Sequence, residues 1–164
     1  LFERLGVRRP WLFGHSDGGS IALLHAARFE VAGIIVVAPH LFVEDVSIAS
    51  IAAARDAYES TDLRARLARY HDDPDSAFRA WNDAWLDPAF RSWNIEADID
   101  SIRCPVLAVQ GEGDEYGTLA QIRGIAARVP TTELLVIPDC GHSPHRDAPD
   151  LLARESARFI LEHP

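Results

Sequence analysis

Methionine is missing from all 164 residues, and cysteine occurs only as Cys104 and Cys140. Two lone thiols imply no disulfide framework, so a reducing compartment, the cytoplasm, is the expected location. No apolar run approaches the roughly 20 residues needed to cross a bilayer. The opening Leu1-Phe2-Glu3-Arg4 lacks the basic-then-apolar pattern of a secretion signal. Positive charge is also scarce: 16 Lys and Arg against 25 Asp and Glu give a formal net charge of −9. No basic cluster is available to neutralise phosphates, so neither a nucleic acid nor a membrane is an expected partner.

What is present is ordinary for a globular chain: 48% hydrophobic and 25% charged residues, enough for one domain with a sizeable core. Leu1 to Leu5 reads as the end of a helix stopped by Gly6. Trp11-Leu12-Phe13, ending at Gly14, has the continuous apolar character of a buried parallel strand. Helical spacing follows through Ile21, Ala22, Leu24, His25, Ala26 and Phe29. Gly33 then precedes a second apolar strand, Ile34–Ala38, stopped by Pro39, which completes a βαβ unit with a right-handed crossover. From about Leu41 to Asp100 the chain turns rich in Ala, Arg, Asp and Trp, with helical stretches at Ile48–Tyr58, Leu63–Tyr70 and Ser76–Leu86. Pro74 and Pro88, each after an Asp, fit turns between them. Residues 41–100 are therefore read as an inserted helical subdomain, its Trp and Phe side chains forming mainly its own small core. The alternation resumes with a strand at Pro105–Gln110, a helix at Leu119–Val129, a strand at Glu133–Ile137 and an amphipathic helix at Asp150–Leu161. Four buried strands alternating with helices predict an α/β fold around a mostly parallel sheet, built from residues 1–40 and 101–164.

Gly14-His15-Ser16-Asp17-Gly18 matches G-x-S-x-G, and it lies where that motif has mechanical meaning, between a strand and a helix. A sharp turn there lifts the Ser16 hydroxyl above the sheet edge, and crowding by neighbouring backbone calls for small residues at Gly14, Gly18 and Gly19. The backbone N–H of Asp17, at the start of the helix, is a candidate oxyanion donor. A phosphate-binding turn is disfavoured because no Lys-Ser/Thr pair follows the glycines. A nucleophilic Ser needs a base, and the base needs an orienting acid. Asp114 leaves the third strand at its carboxyl end, where functional loops of open α/β sheets lie, with Glu112 and Glu115 as competitors. His142 follows the fourth strand on the same edge, with His145 as rival. Cys140, His142 and His145 form C-x-H-x-x-H, which matches no standard zinc spacing, so neither a metal nor a cofactor is expected.

Leu5-Gly6-Val7, Gly14–Gly19, Pro105-Val106-Leu107, Gly111–Asp114 and Gly141–His145 together resemble the α/β-hydrolase fold superfamily over nearly the whole chain. The Ser-Asp-Gly-Gly elbow and the Trp-containing helical insertion are most similar to valacyclovir hydrolase-like members and to ester and lactone hydrolases. The resemblance implies that Ser16, Asp114 and His142 occupy the triad positions and that residues 41–100 correspond to the lid. It also implies a serine hydrolase acting on a small-molecule ester, lactone or amide through an acyl-enzyme. A carbon–carbon bond hydrolase, a cofactor-free haloperoxidase and a non-catalytic ligand-binding protein share the scaffold. Dehalogenases need a carboxylate where this chain has Ser16. In that family the first strands, and a His-Gly loop carrying the other oxyanion N–H, precede the elbow. The chain is thus expected to be the C-terminal part of a longer protein, weakly active alone, with Trp11–Phe13 as an apolar sheet edge.

Overall fold

Four short apolar segments line up as one parallel sheet in the order β1-β2-β3-β4, where β1 is Trp11–His15, β2 Gly33–Val37, β3 Val106–Gly111 and β4 Thr132–Ile137. The computed structural model describes residues 2–164, so the first residue of the expected N-terminal helix, Leu1, lies outside them. The rest of that stretch is a single 3-10 turn, Glu3–Leu5, ended by Gly6 at φ 68°. Every residue of β2 and β3 is buried, which explains their unbroken Ile, Val, Leu and Ala content. β1 and β4 are the edges and leave Phe13 and Leu134 partly in solvent.

Because the strand order follows the chain, right-handed crossovers place their helices on one face of the sheet. Helix α1, Asp17–Ala26, packs on β1 and β2, and α5, Ala120–Arg128, packs on β3 and β4. Side chains alternate along each strand. Ile35, Val37, Leu107 and Val109 therefore point to the other face, into a cluster with Leu152 and Phe159 of the final helix α7, Pro149–Glu162. The Trp11 ring closes that cluster edge-on against Phe159 at 6.0 Å.

The chain divides into two compact units, residues 1–42 with 94–164, and residues 43–93. The second is narrower than the 41–100 span read from composition. Leu41 and Ile95 belong to the sheet unit: the Leu41 N–H donates to Gln121 Oε1 at 2.7 Å, and the Leu41 carbonyl accepts from the Ile95 N–H at 2.7 Å. The helical unit comprises α2 (Asp45–Ser60), α3 (Leu63–Leu67), α4 (Pro74–Leu86) and a 3-10 turn at Pro88–Ser92. Pro74 and Pro88 begin elements rather than separating them. Asp73 and Asp87 act as N-caps, accepting from the Ser76 and Ala89 N–H groups, and a proline is well suited to the first helical position. Within this unit Tyr58 stacks on Phe78, and Trp85 packs against Phe90 and Trp93, so the aromatic residues form its own core.

Glycine is required at two carboxyl ends of strands. A Cβ on Gly111 would collide with the carbonyls of Cys140 and Gly141, and one on Gly14 with the Gly18 carbonyl. Gly18 differs from the sequence expectation: nothing lies within 4 Å of the position its Cβ would take, so crowding does not demand it. In urea unfolding, Gly111→Ala and Gly14→Ala should each lose about 1–3 kcal/mol by overpacking. Gly18→Ala, inside α1, should be neutral or stabilising by up to about 1 kcal/mol. A Gly18→Ala loss as large as that of Gly14→Ala would contradict this account.

Candidate active site

The carboxyl edge of the sheet gathers three residues that are far apart in sequence. Ser16 forms the turn between β1 and α1 at φ 55°, ψ −123°, a conformation costly for a residue with a Cβ. Its neighbours hold it there. The Ser16 N–H donates to the Val37 carbonyl at 2.9 Å, and its carbonyl accepts from the Gly19 and Ser20 N–H groups at 2.8 and 3.2 Å. Asp17, the expected oxyanion donor, is the first residue of α1.

Asp114 sits on the loop after β3, and His142 on the loop after β4. The two loops are fastened main chain to main chain: Glu112 N–H to Ile137 carbonyl and Gly113 N–H to Cys140 carbonyl, both 2.9 Å. The His142 ring then bridges the edge, with Nδ1 at 2.9 Å from Asp114 Oδ1 and Nε2 at 3.0 Å from Ser16 Oγ. An ionised carboxylate only accepts, so Nδ1 carries the hydrogen and Nε2 is left as acceptor for the Ser16 hydroxyl. The Asp114 side chain is 1% exposed. Burial alone would raise its pKa. The His142 ring, by hydrogen bonding and charge, together with the Tyr116 N–H and the Gln110 amide, outweighs burial and leaves the carboxyl below its ordinary value.

The sequence rivals fall elsewhere. Glu112 is exposed. The Glu115 carboxylate accepts from the His142 backbone N–H at 3.1 Å. His145 lies in a short helix, α6 (Pro144–Asp147), with its ring edge-on to His15 at 4.9 Å. The Cys140 thiol is directed at Asp147, 3.8 Å away, and burial, with Asp147 adding to it, pushes its pKa up to about 11.

Residues 1–155 match the family model of the alpha/beta hydrolase family. This chain belongs to that family. Two curated proteins are similar to it. The pimeloyl-[acyl-carrier protein] methyl ester esterase of Aromatoleum aromaticum is 30% identical over 64% of this chain and 40% of its own length. RutD of a Caulobacter species, named as a candidate carbamate hydrolase, is 28% identical over 98% of this chain and 68% of its own. Among solved structures, a meta-cleavage product hydrolase of Pseudomonas fluorescens (CumD) superposes with a TM-score of 0.71 at 18% identity, covering 99% of this chain and 68% of that one. That likeness speaks to the fold alone. The matched segments of this chain thus cover 40% of the length of one curated relative and 68% of the other.

Three residues touching this arrangement had no role in the sequence reading. Gln110 is fully buried at the end of β3, and its amide donates to Asp114 Oδ2 at 3.1 Å and to the Gly117 carbonyl at 2.8 Å. A polar residue closing an otherwise apolar strand was its only signal. The Tyr116 ring lies 4.7 Å from the His142 ring. His15, a variable position of the elbow motif, meets the His142 carbonyl, 2.7 Å from its Nε2.

A lowered carboxylate pKa sets the sign of one pH effect. The ionised form of Asp114 is favoured by the fold, so its contribution is present above the ordinary Asp range near pH 4 and lost as pH falls below it. The stability gap between the parent and Asp114→Asn, measured by urea unfolding, should narrow on going from about pH 6 to below about pH 4. A gap that widened on acidification would mean that the carboxyl is held in its protonated form.

Proposed function

We propose that this chain carries the catalytic relay of a serine hydrolase that cleaves a small-molecule ester, lactone or amide through an acyl-enzyme. The observation that supports it most is the chain of contacts from Ser16 Oγ through the His142 imidazole to Asp114, at 3.0 and 2.9 Å. In this reading His142 Nε2 takes the hydroxyl proton as Ser16 Oγ attacks the substrate carbonyl. Asp114 fixes the ring tautomer and stabilises the imidazolium that forms. The proton then passes from Nε2 to the leaving group, and the acyl group remains on Ser16. Water attacks that ester with His142 again as base, releasing the acid and restoring the hydroxyl. The Asp17 N–H, at the positive end of α1, is assigned as one donor to the tetrahedral oxyanion. No step needs a metal or cofactor.

An ester-like substrate is favoured because both curated relatives are named for substrates with a carbonyl carrying a heteroatom leaving group, a methyl ester and a carbamate. The strained turn at Ser16 fits the same reading, since strain at a nucleophile holds the hydroxyl ready before substrate arrives.

The test is covalent labelling of the full-length protein with a fluorophosphonate, alongside hydrolysis of short p-nitrophenyl esters. The parent should label once, at Ser16, and Ser16→Ala should abolish labelling and lower kcat by about 10⁴–10⁶-fold. Labelling that persists in Ser16→Ala would sink the nucleophile assignment. A parent that binds the probe reversibly without covalent capture would instead indicate a ligand-binding role.

A further inference from the structure

The His142 imidazole is bonded on both sides, and so is its main chain. Its backbone N–H donates to Glu115 Oε2 at 3.1 Å, and its carbonyl lies 2.7 Å from His15 Nε2. A carbonyl oxygen can only accept, so His15 Nε2 carries the hydrogen of that bond. Among the described residues, neither backbone group of His142 pairs with another backbone group, as expected for a loop position three residues beyond a left-handed Asp139 at φ 52°. The base is therefore carried by a segment that secondary structure does not fix.

The four partners come from only two places in the chain. His15-Ser16 supplies one bond to the main chain and one to the ring, and Asp114-Glu115 supplies the same pair from the opposite side. His15 is partly buried, its ring lying 4.9 Å from that of His142. Burial lowers its pKa; the His142 carbonyl opposes that shift, and the neighbouring His142 and His145 rings add to it. A neutral His15 donates its Nε2 hydrogen without placing a second positive charge beside the imidazolium that the reaction forms.

We propose that His15 and Glu115 are positioning residues that clamp the main chain of His142 and so hold its ring in line between Ser16 and Asp114. This rests on the serine-hydrolase reading. The clamp matters because proton transfer depends steeply on geometry: a displacement of about 1 Å can cost about 100-fold in rate. Ring contacts alone leave the loop free to pivot about them. Bonds to both backbone groups remove that freedom.

The test uses the full-length protein and two pairs of variants. His15→Phe keeps a ring but removes the donor and should lower kcat by about 10- to 100-fold with KM little changed. His15→Gln, whose amide nitrogen reaches about as far as Nε2, should restore most of kcat, whereas the shorter His15→Asn should not. Glu115→Ala, at an exposed bond that water can partly replace, should lower kcat by about 5-fold. Glu115→Gln, which keeps an acceptor, should recover it. Nitrogen-15 histidine spectra should show the His142 Nδ1 proton broadened in His15→Phe and Glu115→Ala and sharp in the Gln variants. Unchanged kcat and spectra in both, a change confined to KM, or a Glu115→Gln as impaired as Glu115→Ala would overturn the clamp. If His15→Phe does not fold, the Glu115 pair decides by the same criteria. Failure of the serine reading shows separately, as labelling that survives Ser16→Ala, while the His142 spectra still report whether the clamp exists.

Discussion

Everything at the carboxyl edge depends on how closely the loops leaving β3 and β4 approach each other. Parallel pairing sets Gly111 opposite Ile137, and the next residues run side by side, with Glu112 bonded to Ile137 and Gly113 to Cys140. That spacing has no room for a side chain at residue 111, because the Cys140 and Gly141 carbonyls occupy the place of its Cβ. The approach of the two loops is thus set by backbone sterics, and side-chain hydrogen bonds then place the acid and the base within it. Asp114 and His142 then meet because their loops already do.

Burial supplies the second constraint. A carboxylate that is 1% exposed cannot rely on water, and each oxygen of Asp114 must find donors in the protein. Oδ1 accepts from the Tyr116 N–H and the His142 ring, while Oδ2 accepts from the buried Gln110 amide and lies within reach of the same ring. Satisfying the charge in this way also selects the imidazole tautomer, so the needs of a stable interior and of a poised base coincide. Gln110 belongs to both: its amide donates to the acid and to the Gly117 carbonyl, closing the loop on which Asp114 sits.

The centre of the sheet was legible in the sequence because β2 and β3 are buried on both faces, and burial writes itself as runs such as Ile34–Val37 and Val106–Val109; the expectation of four buried strands fails at the edges, where β1 and β4 keep apolar residues partly in solvent. The elbow was legible because a Gly-flanked Ser between a strand and a helix has few other physical uses. The Asp-Pro steps were harder, since the same pair that fits a turn also caps a helix, and only the Ser76 and Ala89 N–H groups decide between them. Gly18 was over-read for a related reason: a motif does not say which of its glycines is crowded. Glu115 could be weighed only as a substitute for Asp114, because sequence offers a carboxylate without saying whether it meets a ring or a main-chain N–H. His15 fell in a variable position of the motif, where pattern carries no information and only proximity to a loop 127 residues away gives it meaning.

Strain completes the picture. The three non-glycine residues with positive φ among those described, Ser16, Ala38 and Asp139, follow the ends of β1, β2 and β4. Asp tolerates the left-handed region through its short polar side chain, but Ser16 and Ala38 each cost on the order of 1–3 kcal/mol, and nothing in their chemistry favours the conformation, so the surrounding structure must impose it. At Ser16 and Ala38 the restraint is a ladder bond carried one residue past the strand: Ser16 N–H to Val37 carbonyl and Ala38 N–H to Val109 carbonyl. These bonds draw their rigidity from β2 and β3, the two fully buried strands. The stability of the sheet interior is thereby spent, in part, on holding its carboxyl edge in a shape that an unsupported chain would abandon. That is why the most apolar part of the sequence and its most polar constellation are one mechanical unit.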